Sequence, residues 1–106
     1  LAVLKPGTKI KVPIFFGTDR SNETQVAHQA YANADALAQQ LVQLANECDW
    51  IDGYVLDYEM NCGDWHIETC MPWEAEHLTA FFKTLSTALH AEGKTFWGFV
   101  TTRTVP

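Results

Sequence analysis

Apolar segments of two different periods alternate along this chain, and that alternation constrains its fold more than any other feature. Residues 10–17 form a short run rich in Ile, Val and Phe, which reads as a buried strand. Pro13 lies inside that run, and proline, which cannot donate to a ladder, belongs at an edge or a bulge. Residues 18–25 are polar and read as a loop. The spacing of Leu37, Leu41, Leu44, Ala45 and Cys48 predicts a helix over 34–47 with one apolar face. The permissive alanines before it allow a start near Val26, and Asn33 or Asp35 is placed to cap the helix. A second strand is expected over 51–58. A second helix opens at Pro72, with Glu74 and Glu76 at its positive end. It buries Leu78, Phe81, Phe82, Leu85 and Leu89, and stops at Gly93. Residues 95–101 form the third strand.

Strands alternating with helices imply an α/β class with parallel strands and right-handed crossovers. Both faces of a parallel sheet are normally covered, and two helices do that poorly for three strands. The expectation is therefore an arc of a larger barrel or open sheet, its outer strands partnered from elsewhere in the same chain. Residues 1–106 then make up a fragment of one domain, a view favoured by a chain that begins on Leu1 and ends on Pro106 directly after a strand.

Charge and cysteine content narrow the function classes. With 13 acidic against 7 basic residues the net charge is -6, and no Lys/Arg cluster is present, so a nucleic-acid partner is not expected. No apolar stretch in the segment reaches the roughly 18 residues of a membrane span. Three cysteines, Cys48, Cys62 and Cys70, stand beside an Asn22-Glu23-Thr24 glycosylation sequon. Cys62 and Cys70 are candidates for a disulfide-closed loop, Cys48 is left over, and Asn22 is a candidate glycosylation site. Together they favour a secreted or lumenal (lysosomal or extracellular) glycoprotein over a cytoplasmic one.

The chemistry-bearing stretch is Asp52-Gly53-Tyr54-Val55-Leu56-Asp57-Tyr58-Glu59. Alternation along a strand puts Gly53, Val55, Asp57 and Glu59 on one face, and Tyr54, Leu56 and Tyr58 on the other. Asp57 and Glu59 fall about 6–7 Å apart at the strand's C-terminal end. Two carboxylates so close push at least one pKa upward, as a general acid requires. Such a pair is costly to place there, and chemistry would explain it. The plainer reading leaves Glu59 solvated in the next loop and Asp57 as a cap.

The octapeptide resembles the D-G-x-D-x-D-x-E signature of glycoside hydrolase family 18, the chitinases and related endo-β-N-acetylglucosaminidases. Asp52, Gly53, Asp57 and Glu59 match it, and Val55 stands where that family has its middle Asp. The order of elements is also similar, and the resemblance implies a partial (β/α)8 TIM barrel, roughly the third to fifth βα units. Family 85 endo-β-N-acetylglucosaminidases are similar too, with D-G-x-x-x-N-x-E and an apolar residue at the place of Val55. The stretches 41–45 and 85–90 share that family's character, although Asp57 departs from its Asn.

Either resemblance implies a retaining, substrate-assisted glycosidase acting on β-linked N-acetylglucosamine glycosides, in chitin-like oligosaccharides or N-glycan cores. Family 18 is an exception to the two-carboxylate scheme. Glu59 would then protonate the glycosidic oxygen, and Asp57 would orient the 2-acetamido group. No cofactor is implied.

Asp52, Tyr58, Trp65 and Trp97 complete the candidate carbohydrate-binding set, Trp65 in the loop after Glu59 being the first choice for stacking on a sugar. Tyr54 and Tyr58 also read as packing on the opposite face, and Trp97 as packing on the last strand. Cys62, Asp64, His66, Glu68 and Cys70 lack a familiar zinc spacing and a fourth ligand, so no metal is expected. Two competing readings keep the same resemblance: a weak or inactive chitinase-like glycan-binding protein, and an assembly protein using such a barrel structurally.

Overall fold

Strand β2 (Ile51–Tyr58) is the centre of the molecule. In the computed structural model, which describes residues 7–16, 23–58 and 72–100, it is flanked by β1 (Ile10–Phe15) and β3 (Thr95–Val100). Both pair with it in parallel, giving the order β1-β2-β3. The connections carry α1 (Glu23–Ala32) and α2 (Ala34–Glu47) between the first two strands, and α3 (Pro72–Ala91) between the last two. Parallel neighbours need crossovers of one hand, and successive crossovers in one direction stack their helices on one face of the sheet. Accordingly α2 packs on β2, α3 on β3, and α3 on both other helices.

This corrects the expected (β/α)8 arc. The described residues form a three-stranded parallel sheet with three helices, an α/β unit in which β1 and β3 are the edges. Closing a barrel of that type takes eight tilted strands, and a sheet of three has no such closure. The single long helix that an early start near Val26 would give is also corrected, because Asn33 interrupts it. That residue stands at the N-cap position of α2, yet its side chain makes no bond there. Its amide Nδ2 instead donates to the carbonyl of Gln29 at 2.8 Å, finishing α1.

The core lies between the helices and one face of the sheet. Tyr54, Leu56 and Phe96 enter it from the strands, and Phe81, Leu85 and Leu89 from α3. Ala27, Ala38 and Ala45 let the other helices approach closely. The predicted stripe of α3 holds, with Leu78 and Phe82 packed at its margins. On α2 the buried line runs through Ala38, Leu41, Val42 and Ala45, and leaves Leu44 exposed. Gly93 ends α3 as expected. At φ +71° it adopts the left-handed conformation, its N–H donates to His90 at 3.0 Å, and the N–H of Lys94 reaches back to Leu89 at 2.9 Å. These are the two bonds of a Schellman cap.

Candidate functional site

The sheet's second face carries the candidate residues. Pairing puts Lys11 beside Gly53, Pro13 beside Val55, and Phe15 beside Asp57 on one flank. On the other flank Gly53 pairs with Thr95, Val55 with Trp97, and Asp57 with Phe99. Directly paired residues point to the same side of a sheet. Gly53, Val55 and Asp57 therefore share the face opposite the helices, while Tyr54 and Leu56 point into the core. Tyr54 fixes that choice, since its hydroxyl donates to the Leu41 carbonyl of α2 at 2.8 Å. Burial raises its phenol pKa above the ordinary value, with the Cys48 thiol adding to the effect.

Asp57 lies one residue from the end of β2. Its carboxylate Oδ1 is buried and has no hydrogen-bond partner among the described residues. Val55, the preceding residue on that face, offers it no donor. Phe15, beside it, is 60% exposed. Trp97, one strand across and one row back, is 61% exposed. That offset amounts to about 5 Å across the strands and about 7 Å along them. The Lys11 ammonium stands 5.5 Å from the centre of the Trp97 ring, a cation–π distance. The arrangement is a buried acceptor oxygen with no hydrogen-bond partner among the described residues, on the face that also carries two exposed aromatic rings, which suits a ligand with an N–H or O–H donor and an apolar ring face.

Asp52 belongs elsewhere. The ladder shifts between Ile10 and Lys11, so that Ile51 and Gly53 take successive partners and Asp52 is the extra residue of a bulge. It accepts a bond from the Lys11 ammonium at 2.8 Å. That bond holds its carboxyl below the usual carboxylate range against the opposing effect of burial, and the charges of Lys11, Lys94 and Lys9 each add a smaller effect. It lies five positions before Asp57, about 17 Å along a regular strand. Gly53 follows from the same bulge. A Cβ there would lie 2.1 Å from the Thr95 carbonyl oxygen, so only glycine permits β3 to approach.

Glu59, Cys62, Trp65, Cys70 and Asn22 lie outside the described residues, as do Asp64, His66 and Glu68. Tyr58 ends β2, paired with Val100. Cys48 is a free thiol, half-buried after α2. Among the described residues no group of three His, Cys, Asp or Glu side chains could hold a metal ion, and no helix is long and apolar enough to cross a membrane.

Phe15 and Lys11, on the open face beside Asp57 and Trp97, are absent from the sequence-based candidates. A charged residue at 11, in phase with 13 and 15 along a supposedly buried strand, is the signal that one face of β1 is not buried. Searches against protein-family models, curated proteins and solved structures find no match for the chain.

Proposed function

We propose that this chain hydrolyses β-linked N-acetylglucosamine glycosides with net retention, Glu59 acting as the acid and Asp57 as the group that orients the substrate's acetamido nitrogen. The observation that carries the reading is the buried Oδ1 of Asp57, without a partner among the described residues, at the end of the strand whose sequence resembles the family 18 signature. A buried acceptor left unmet costs about 1–3 kcal/mol, and an acetamido N–H is a donor that would recover it. Held in that way, the acetamide's carbonyl oxygen attacks the anomeric carbon as the bond to the leaving oxygen breaks, and Glu59 supplies the leaving group's proton. Water then opens the cyclic oxazolinium and returns a proton to Glu59. The exposed ring of Trp97 offers a surface for the sugar's C–H face. The reading rests on the strand and its open face and requires no barrel.

The test is turnover of a chitooligosaccharide and of an N-glycan core by the full chain and by Glu59→Gln and Asp57→Asn. Both variants should keep the far-ultraviolet circular dichroism of the parent and lose at least about a hundredfold in kcat, the usual scale of a general acid. Unchanged turnover in Glu59→Gln overturns the assignment. Val55 supports a second reading, glycan binding without turnover, because it offers Asp57 no donor and Oδ1 has no partner among the described residues. Saturable binding of the same oligosaccharide by a parent chain without measurable hydrolysis would select it.

A further inference from the structure

The open face of the sheet holds an ammonium group of its own, that of Lys11. Its Nζ lies 2.8 Å from Asp52 Oδ2 and 5.5 Å from the centre of the Trp97 ring. The carboxylate takes up both its charge and an N–H, and the negative face of the indole adds a cation–π attraction. Carboxylate, ammonium and accessible ring thus form one unit at the start of β2. Two of these three parts recur near the end of the same strand. Asp57 pairs with Phe15, so the two side chains stand on one side of the sheet, about 5 Å apart at the backbone. The Phe15 ring is exposed, as the Trp97 ring is. Asp57 is half-buried, and no Lys, Arg or His among the described residues pairs with it. Lys11 lies four positions before Phe15 on β1, about 13 Å along the strand, and its bond to Asp52 keeps it there.

Charge complementarity names the occupant. A carboxylate partly withdrawn from water is costly unless it is paired. An anion would be repelled, and a neutral donor would recover only the hydrogen bond. An ammonium brings the opposite charge and N–H donors together, and hydrogen bonds to ionised groups are about twice as strong as neutral ones. The Phe15 ring favours the same charge. A quaternary ammonium would suit the ring but has no N–H for Oδ1. The row behind Asp57 on this face is Pro13, Val55 and Trp97, an apolar surface for a hydrocarbon stem.

We propose that Asp57 and Phe15 bind a small primary amine in its ammonium form, carried on a short apolar stem. The site shares Asp57 with the glycosidase reading but does not rest on it, since this binding requires neither Glu59 nor turnover.

The experiment titrates the full, isotope-labelled chain with n-butylammonium chloride, following backbone amides and the carboxylate carbon of Asp57. Butanol serves as the neutral control, and butyltrimethylammonium as the cation without an N–H. Butylammonium should shift Asp57 and Phe15 saturably, with both controls at least about tenfold weaker. Asp57→Asn removes the charge at nearly constant shape and should lower butylammonium affinity by at least about tenfold. Asp35→Asn removes the same charge from an exposed position in the first turn of α2 and should change the affinity less than about twofold. That contrast separates a local site from the general attraction of an acidic chain. Phe15→Leu keeps the apolar bulk without the ring and should weaken binding about two- to fivefold. No saturable shift at Asp57, a control that binds as tightly, full affinity in a folded Asp57→Asn or Phe15→Leu chain, or an equal loss in Asp35→Asn would each overturn the proposal.

Discussion

Asp52 and Asp57 sit on one strand in opposite electrostatic settings. Asp52 is solvated and held by Lys11, whereas Asp57 carries a buried oxygen with no donor among the described residues. The first is a stabilising group, and the sign of its effect on stability follows from its pKa. Its folded pKa lies below the ordinary carboxylate value. The stabilisation is therefore present above about pH 4, the unfolded value, and is lost as the pH falls through the still lower folded one. Asp52→Asn should lower the thermal midpoint slightly at pH 7 and match the parent near pH 2, while leaving any glycosidase turnover intact. A midpoint difference that persists at pH 2 would mean that Asp52 acts through something other than its charge. The two residues also differ in how readily sequence discloses them. Counting by twos along β2 puts Asp57 on the correct face because alternation is a property of the extended chain itself. The same count fails at Asp52, because the bulge that displaces it depends on the pairing with β1, a partner some forty residues away in the chain.

At the scale of elements, helix and strand types follow from period and punctuation, and the departures have local causes. The stripe of α3 and its stop at Gly93 were legible because side-chain spacing and a left-handed cap are local properties. Leu44 misled because a leucine at helical spacing promises burial, while the close approach of α2 is made by the smaller Ala38 and Ala45. Asn33 misled because its amide serves the helix it ends rather than the one it begins. The two sheet glycines are separable by the same physics. A Cβ at Gly53 would strike the Thr95 backbone, which cannot move without breaking the ladder. A Cβ at Gly98 would meet only the Phe82 ring, at 2.8 Å. Gly53→Ala should thus cost about 2–3 kcal/mol in urea unfolding, the scale of forced overpacking. Gly98→Ala should cost clearly less, because a half-buried ring can swing aside. Equal losses would show that the β2–β3 contact is not the reason for glycine at 53.

At the scale of the whole molecule the described helices all lie on one face of the sheet, whereas continuous apolar strands suggested cover on both faces. Among the described residues three helices cover one face. Lys11, Pro13, Phe15, Val55, Asp57 and Trp97 line the other. This is the feature least legible in the sequence, since β1 and β3 carry apolar residues on both sides and composition alone cannot tell an open apolar face from a buried one. It is also the face that Asp57 and Trp97 share, so the proposed activity depends on that face being accessible. Stability measurements separate the two faces directly. Leu85, fully buried on the core face of α3, should lose about 2–5 kcal/mol on truncation to Ala, through lost transfer energy and the cavity left behind. Phe15→Ser and Trp97→Gln, on the accessible face, should each stay within about 0.5 kcal/mol of the parent, because little apolar area leaves water there on folding. Denaturant midpoints at constant slope would read all three. Losses at Phe15 and Trp97 as large as that at Leu85 would mean that the second face is covered in solution, and would remove the accessible surface on which the glycosidase reading relies.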